Sequence, residues 1–289
     1  MNYVEDMNLK NTSNFYKFMA VTATAVVATA ALAPQATAKT FPDVPSTHEF
    51  APYIDALSDA GIINGKADGK FYMSENVTRG QVAIMLGRWL ETNGYAAPED
   101  WNLKQYFTDI PVDNITNNNK DLVKYAALVK SAGVFTGSNG KLNASANINR
   151  QNMSKVLNNA YELVNGMDLI AISKSKSQVK VNDLSKALTE NRPYIQALAN
   201  LGITTVSNYN PAGFVKRGQF AKFLYLTSNV EPINNVAKVT AINETTIRVQ
   251  FDNGFQQDIQ VNALKPNVAT EVTFKIDGET YKRTVTYKK

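Results

Sequence analysis

One short pattern occurs three times in the chain and places the strongest limit on its fold. The three copies read VTRGQVAIML, INRQNMSKVL and VKRGQFAKFL, and each places an arginine just ahead of an amphipathic stretch with helical spacing. The arginines Arg79, Arg150 and Arg217 are separated by 71 and 67 positions. A near-regular spacing of this size indicates a repeat architecture rather than a single unrepeated core.

Each copy contains the same parts in the same order. An apolar residue with a nearby aspartate comes first, then a helix that ends at a glycine, then a polar loop, and then the helix that follows the arginine. Two short helices cannot bury both of their apolar stripes, so we expect the three units to pack on one another. The aspartates are Asp43, Asp109 and Asp183, and the closing glycines are Gly61, Gly133 and Gly202.

The first 38 residues have the features of a secretory signal. Lys10 and Lys17 supply positive charge, an apolar run covers residues 18–33, and Ala36-Thr37-Ala38 offers a cleavage site. An uncleaved membrane anchor is the alternative interpretation. No later apolar run is long enough to span a bilayer, so we expect an exported mature chain that begins at Lys39.

After about residue 235 the apolar period changes from helical to two-fold. Strands are predicted at residues 246–251, 255–261, 271–276 and 280–287, with hairpin turn signals between them. The fold class is therefore mainly α followed by a small all-β domain of about five strands. The predicted boundaries are 1–38 for the signal peptide, 39–105, 106–178 and 179–235 for the repeats, and 236–289 for the β domain.

Composition excludes several functions. The chain has no cysteine, which rules out disulfides, thiolate metal sites and a lipid-modified cysteine. A net charge of +5 without basic runs gives no support for nucleic-acid binding. His48 is the only histidine, and the loop at 113–121 lacks the glycine and glutamate positions of a calcium-binding EF-hand. We expect no metal, no cofactor and no enzymatic activity, with a carboxylate-based wall glycosidase as the remaining enzymatic alternative.

The repeated arginine is unusual because a helix N-terminus carries a partial positive charge. A guanidinium beside free N–H groups forms a receptor for a carboxylate or phosphate, which predicts an anion site in each copy. The alternative is a solvated arginine, or one paired with the aspartate of its own repeat. Thr78 and Gln81 form a capping-box pattern, and Asn149 is a second cap candidate, whereas the third copy has Lys216 at that position.

The stretches FPDVPSTH and YIDALSDAGIINGKADGKFYMSENVTRGQVAIML resemble an S-layer homology (SLH) domain. The resemblance extends over three tandem copies, about residues 40–229, and the arrangement resembles the anchoring region of Bacillus-type S-layer proteins. It implies a pseudo-trimeric helical spindle whose grooves bind an anionic, pyruvate-ketal-bearing secondary cell-wall polysaccharide. It also implies a secreted, peptidoglycan-associated protein of a Gram-positive cell wall or S-layer.

The resemblance also assigns residues to the polysaccharide site. The family's helix-start motif is usually Thr-Arg-Ala-Glu, and its arginine contacts the ketal carboxylate. In this chain the alanine-glutamate pair is replaced by Gly80-Gln81, Gln151-Asn152 and Gly218-Gln219, and the third copy lacks the glycine-rich loop. The implied binding residues are Arg79, Arg150, Arg217, Asp43, Asp109, Asp183, Gly65, Lys66, Asp68 and Gly69.

The expected function is non-covalent anchoring of an exported protein to the wall polysaccharide. A structural S-layer lattice or scaffold protein is the alternative, and we favour a small accessory protein because only a short segment follows the repeats. The β domain has exposed edge strands that could pair with a protein partner, although a spacer role is equally compatible with its sequence.

Overall fold

A computed structural model of the chain describes residues 41–232, 235–251, 256–276 and 279–288. The predicted signal peptide and the turn signals at 252–254 and 277–278 lie outside these residues. Seven α-helices are described, and they alternate with polar loops through the repeat region. They are α1 (Ala51–Asp59), α2 (Arg79–Thr92), α3 (Lys120–Ser131), α4 (Arg150–Asn165), α5 (Leu169–Ser173), α6 (Arg192–Asn200) and α7 (Arg217–Ser228).

The predicted helix starts are confirmed in two repeats. The hydroxyl of Thr78 accepts from the Gln81 N–H at 3.3 Å, and the Gln81 side chain accepts from the Thr78 N–H at 3.2 Å. The side chain of Asn149 accepts from the Asn152 N–H at 2.9 Å. Both caps satisfy N–H groups that a helix cannot satisfy itself. The predicted helix ends are confirmed as well, because Gly61, Gly133 and Gly202 follow α1, α3 and α6 with φ of 71°, 73° and 71°.

The helix pairs contact one another in a closed cycle. The second helix of the first repeat, α2, packs on α3 of the second repeat; α4 packs on α6 of the third; and α7 packs on α1 of the first. At the first of these contacts Gly87 allows a close approach, because a Cβ there would lie 2.5 Å from the Tyr125 ring. At the third contact the rings of Tyr53 and Tyr225 lie 5.3 Å apart. The expectation that the units bury their stripes against each other is confirmed.

Three backbone hydrogen bonds close the same cycle just before the second helices. The Val77 N–H donates to the Val215 carbonyl at 2.8 Å, the Ile148 N–H to the Val77 carbonyl at 3.1 Å, and the Val215 N–H to the Ile148 carbonyl at 3.1 Å. All three side chains are fully buried. We call this arrangement the backbone ring. It joins the first repeat directly to the third.

A short helix that the sequence analysis did not predict lies between the second and third repeats. The Asp168 carboxylate caps α5 by accepting from the Ala171 N–H at 2.7 Å. The side-chain oxygen of Asn158 in α4 accepts from the Leu169 N–H at 3.1 Å, and Leu169 and Ile172 are buried. This insertion fastens the linker to α4 and α6.

The C-terminal part forms two antiparallel sheets with a hydrophobic core of their own. The predicted alternation is confirmed, because Ile247, Val249 and Phe251 are buried on one strand and Val272, Phe274 and Ile276 on another. One sheet has the order β1-β2-β3 and the other pairs β4 with β5. The strands are β1 (Val236–Ala241), β2 (Thr246–Phe251), β3 (Gln256–Gln260), β4 (Ala269–Ile276) and β5 (Glu279–Thr286).

The helices are short relative to a membrane span. The helix α4 has 16 residues, whereas a membrane-spanning helix needs about 20 apolar ones. Among the helices within residues 41–288 that the structure describes, none is both long enough and apolar enough to cross a bilayer.

Candidate functional site

The first turn of each second helix donates its backbone N–H groups to the following repeat. In α2 the Arg79 N–H donates to the Ala146 carbonyl at 2.8 Å, and the Gly80 N–H donates to the Ala144 carbonyl at 2.9 Å. These amides therefore have acceptors inside the protein, and the amide half of the predicted anion receptor is wrong. The equivalent donations are Arg150 to Gly213, Gln151 to Pro211, Arg217 to Glu75 and Gly218 to Met73, at 2.9, 3.0, 2.9 and 2.9 Å.

The arginine side chains also donate hydrogen bonds to the next repeat. Arg79 Nε of the first repeat donates to the Leu142 carbonyl of the second at 2.6 Å. Arg150 Nε donates to the Tyr209 carbonyl of the third repeat at 2.5 Å. Arg217 Nε completes the cycle by donating to the Phe71 carbonyl of the first repeat at 2.9 Å. We name these contacts the Arg79, Arg150 and Arg217 junctions.

Each predicted aspartate holds the loop that receives the arginine. The Asp43 carboxylate accepts from the Phe71 N–H at 2.8 Å and from the Tyr72 N–H at 2.6 Å. Tyr72 has a φ of 61°, which orients two successive N–H groups toward one carboxylate. The same pattern joins Asp109 to Leu142 and Asn143, and Asp183 to Tyr209 and Asn210, each at 2.7 Å.

The aspartate of one repeat and the arginine of a neighbouring repeat therefore bind the same loop residue, the aspartate through its N–H and the arginine through its carbonyl. At the Arg217 junction the Phe71 N–H donates to Asp43 while its carbonyl accepts from Arg217. The interpretation that each arginine pairs with the aspartate of its own repeat is wrong, because the arginine reaches the neighbour's loop. The proximity of Asp109 nevertheless acts on Arg79, since it partly offsets the lowering of the Arg79 pKa that burial causes.

Aromatic rings lie close to all three guanidinium groups. The Arg217 Cζ lies 4.8 Å from the centre of the Phe71 ring, and the Arg150 Cζ lies 4.5 Å from the Tyr209 ring. In the second repeat the loop residue that accepts from the arginine is Leu142, which has no ring. There the nearby ring is that of Phe135, whose centre lies 4.8 Å from the Arg79 Cζ. Such cation–π contacts stabilise a partly desolvated cation.

The three junctions differ in how much guanidinium they leave in contact with solvent. Arg217 is 4% exposed and Arg150 is 8% exposed, whereas Arg79 is half-buried. Burial lowers the pKa of all three guanidinium groups, and at Arg217 the nearby Glu75 and Asp43 act in the opposite direction. Arg79 is the least buried of the three arginines.

The Arg79 and Arg217 junctions also differ in which side chain donates to one loop carbonyl. At the Arg217 junction, Arg217 Nη2 donates to the Asn64 carbonyl at 3.2 Å. In the second repeat the corresponding carbonyl belongs to Thr136, and Lys130 Nζ donates to it at 2.5 Å. Among the hydrogen bonds of the described residues, Nε is the only atom of the Arg79 side chain that takes part, so its two Nη atoms lack a protein acceptor.

The predicted glycine-rich loop of the first repeat lies at the Arg217 junction and not at the Arg79 junction. A Cβ at Gly65 would lie 2.7 Å from the Phe41 ring, so this glycine permits close packing. Lys66 forms an ion pair with Glu75, and its Nζ lies 4.2 Å from the centre of the Tyr72 ring. The other two predicted residues shape the turn: Asp68 accepts from the Lys70 N–H at 3.1 Å and Gly69 has a φ of 79°.

His48 has a local structural contact. Its Nδ1 accepts from the Phe50 N–H at 3.1 Å, just ahead of α1. Across the residues that the structure describes, no group of three or more His, Cys, Asp or Glu side chains is arranged to hold a metal ion.

Comparison with known proteins supports the interpretation of the repeats. The family model described as S-layer homology domain matches residues 40–83 and 182–221, which fall in the first and third repeats. The middle repeat lies outside the matched ranges, yet it has the same aspartate, loop and arginine contacts as the other two.

Curated relatives point to the same family. The chain is 32% identical over 244 residues to an S-layer protein of Bacillus licheniformis, covering 82% of this chain and 26% of the relative. It is 29% identical over 275 residues to a surface-layer 125 kDa protein of Lysinibacillus sphaericus, covering 94% and 22%. A Bacillus anthracis protein named as an uncharacterized cell wall amidase is 28% identical over 223 residues, covering 72% and 36%. The chain thus spans about a quarter of the length of the two S-layer relatives.

The paired helices, joined head to tail by arginine and aspartate contacts, define a helical repeat protein with a separate small β region. The matched family specifies the class further: the chain is an S-layer homology domain protein, related to Bacillus S-layer proteins.

Proposed function

We propose that this protein is held non-covalently on the outside of a Gram-positive cell by binding an anionic secondary cell-wall polysaccharide. Support comes from the SLH match and from the names of the S-layer relatives. The polymer group recognised is the carboxylate of a pyruvate ketal, and the site is the junction between two repeats. The binding role belongs to the repeats, and the β domain contacts a further protein or serves as a spacer.

The observation that carries the proposal is the state of Arg79. Its Nε donates to the Leu142 carbonyl at 2.6 Å and its Cζ lies 4.8 Å from the centre of the Phe135 ring, and these two contacts restrict the orientation of the guanidinium. Its Nη atoms have no protein acceptor among the described residues, and the side chain is half-buried. A pre-oriented guanidinium with two available donors fits a carboxylate in the bidentate arrangement.

The Arg150 and Arg217 junctions have a smaller part in this proposal. Both guanidinium groups are almost fully buried, and Arg217 makes two hydrogen bonds to carbonyls. We assign them to holding the repeats together. The closed cycle of contacts supports arrangement of the repeats as a pseudo-trimeric spindle, with the predicted boundaries 39–105, 106–178 and 179–235.

The test is co-sedimentation of residues 39–289, which include every residue the structure describes, with purified wall sacculi. Sacculi are used before and after chemical removal of the secondary polysaccharide. We expect binding that disappears with the polysaccharide and weakens as salt is added. Binding that survives the removal would point to peptidoglycan itself, and no binding to either preparation would contradict the proposal.

Arginine variants locate the site. Arg79→Ala is expected to weaken binding by roughly tenfold or more, since charge-assisted hydrogen bonds contribute about 1.5–3 kcal/mol. Arg79→Lys should restore little, because an ammonium cannot form the two parallel bonds. The matched control is Arg192→Ala, which also removes an arginine bonded to carbonyls, those of Ala187 and Ser185, but within one repeat. Equal binding by the Arg79 and Arg192 variants would contradict this site.

A lattice or scaffold role is the second candidate, favoured by the surface-layer names of the relatives. It predicts ordered self-association of the purified chain in the absence of any wall. Electron microscopy of the protein at rising concentration tests it. The relative named as an amidase shares 36% of its length with this chain, and hydrolysis of purified wall by the chain would contradict the non-enzymatic assignment.

A further inference from the structure

The outer face of the backbone ring carries six side chains contributed equally by the three repeats. Val77, Ile148 and Val215 are fully buried beneath it. Successive residues of an extended segment point to opposite faces, so the residues before and after each buried one lie on the outside. We call this surface the ring face, and its residues are Asn76, Thr78, Asn147, Asn149, Phe214 and Lys216.

Backbone pairing brings these residues next to one another across repeat boundaries. Antiparallel bridges join Asn76 to Lys216, Thr78 to Asn147, and Asn149 to Phe214. Cα atoms paired in this way lie about 4.5–5.5 Å apart, and their side chains share a face. The ring face is therefore one continuous surface built from all three repeats.

The third repeat departs from the other two at both of its positions. The first and second repeats have asparagine before the buried residue, whereas the third has Phe214, which is 54% exposed. They have a capping Thr78 or Asn149 after it, whereas the third has the exposed Lys216. An ammonium group has no acceptor for an N–H, so Lys216 cannot cap α7.

Neither departure is explained by the fold. The backbone of Lys216, with φ −79° and ψ 151°, is nearly that of Thr78, with φ −86° and ψ 159°, so a threonine or asparagine would fit. A helix without its cap residue is less stable by about 1 kcal/mol. The exposed Phe214 leaves part of an apolar ring in water. Asn76 and Asn147, at the same position in the other repeats, are smaller and polar and have no such cost.

Three polar groups of the ring face are available to a ligand. Within the described residues, Lys216 Nζ has no ion pair or hydrogen bond, and the amide groups of Asn76 and Asn147 have no hydrogen-bond partner. The surface thus combines an exposed ring, a compact positive charge and two amides. An aromatic ring packs on the apolar face of a sugar, an ammonium pairs with a carboxylate or phosphate, and amides bind hydroxyl groups.

We propose that the ring face binds an acidic saccharide unit, with Phe214 stacking on the sugar ring and Lys216 pairing with its negative charge. This site is separate from the Arg79 junction, and it rests on the proposed function because the unit belongs to the same wall polysaccharide. A polymer that contacts both positions is held at two points, so the second point binds at a high effective concentration.

The test converts the third repeat to the pattern of the other two. The full chain with Phe214→Asn and Lys216→Thr together is compared with the unchanged chain in binding to polysaccharide released from sacculi, by titration calorimetry, and in thermal unfolding. We expect binding weakened by about tenfold or more, as for loss of a charge-assisted contact. We expect a melting temperature equal to or above that of the unchanged chain, because the introduced threonine can cap α7.

Two further variants control for charge and for apolar area. Lys180→Thr removes the same charge from an exposed loop position of the same repeat and should leave binding unchanged. Phe214→Leu keeps an apolar side chain without the ring and, like the single change Phe214→Asn, should weaken binding.

The outcomes separate this inference from the proposed function. Weaker binding without loss of thermal stability supports the ring face. Unchanged binding by the double variant, with the unchanged chain still bound to sacculi, overturns the ring face and leaves wall anchoring in place. A lowered melting temperature accompanied by weaker binding assigns both residues to the fold and also overturns it. Failure of the unchanged chain to bind either preparation removes the proposed function and this inference together.

Discussion

The Arg217 and Arg79 junctions contain the same four parts, an aspartate, a turned loop, an arginine and an aromatic ring, yet they differ in what they leave open. Arg217 is 4% exposed and bonds to two carbonyls, whereas Arg79 is half-buried and bonds to one. The same motif therefore contains a buried arginine at one junction and a partly accessible arginine at the other. At the Arg79 junction Lys130 donates to the Thr136 carbonyl, whose counterpart at the Arg217 junction, the Asn64 carbonyl, accepts from the arginine itself.

The largest expected difference between the junctions is in stability. Arg217→Ala leaves the Phe71 and Asn64 carbonyls without their donor and opens space against Phe71, which should lower the free energy of unfolding by about 3–5 kcal/mol. Arg79→Ala removes one hydrogen bond at a half-exposed position and should cost about 1–2 kcal/mol. Urea unfolding of both variants measures this, and equal losses would contradict the division of roles.

The aspartates should respond alike, because this part of the motif is the same at both junctions. Asp43→Asn and Asp109→Asn each replace a carboxylate that accepts two N–H groups with an amide that accepts through one oxygen. We expect each to lower the free energy of unfolding by about 2 kcal/mol. Glu190→Gln, at an exposed position of the third repeat, is the matched control. A large difference between the two aspartate variants would show that the loops are not equivalent.

The glycines beside the arginines should differ by a smaller amount. A Cβ at Gly218 would lie 2.5 Å from the Phe50 ring, so Gly218→Ala should destabilise the protein by about 1–2 kcal/mol. At Gly80 the nearest atoms lie at 3.1 Å, and the gain in helix propensity offsets the crowding, so Gly80→Ala should be neutral within about 0.5 kcal/mol. Thermal unfolding of the two variants measures this difference. A Gly80→Ala variant as destabilised as Gly218→Ala would show that both positions lack room for a Cβ.

The smallest expected effect is a gain. Lys216→Thr supplies the missing acceptor at the start of α7, where only Gln219 reaches back to the cap N–H at 3.2 Å. We expect the free energy of unfolding to rise by about 0.5–1 kcal/mol. Thr78→Lys, the reverse change at the start of α2, should lower it by a similar amount. If Lys216→Thr gave no increase, the backbone at the two helix starts would have to differ.

Local features of the fold were predictable from the sequence because they depend on nearby residues. The cap at Thr78, the turn glycine after each first helix and the two-residue alternation around Val249 each involve a few consecutive positions. The helix α5 was missed since five residues are too few to show a period. The one signal that could have revealed it is Asp168, a capping residue directly before the apolar stretch LIAI.

The residues that recur in the three copies could be read from the sequence, but their contacts could not. The sequence indicated an anion site at each arginine, with a solvated arginine or a pair with the aspartate of its own repeat as the alternatives, and it gave no sign of the contact with the neighbouring repeat's loop. Because the repeats resemble one another, the loop of the same repeat and the loop of the next look alike in sequence. Contacts across 63, 59 and 146 positions decide between them, and only the folded chain shows these. The carbonyl that Lys130 occupies beside Arg79 belongs to another repeat, so no local motif indicates this contact either.

The backbone ring has a consequence for the order of events during synthesis. A chain that emerges with its N-terminus first presents the Phe71 carbonyl long before its partner Arg217, which lies 146 positions later. Until then Val77 also lacks the Val215 carbonyl that accepts its N–H. Such long loops close slowly, so the last repeat to appear determines when the first one becomes stable. The third repeat thus sets the time of maturation, because a nascent chain cannot complete the backbone ring before almost all of its helical part has been made.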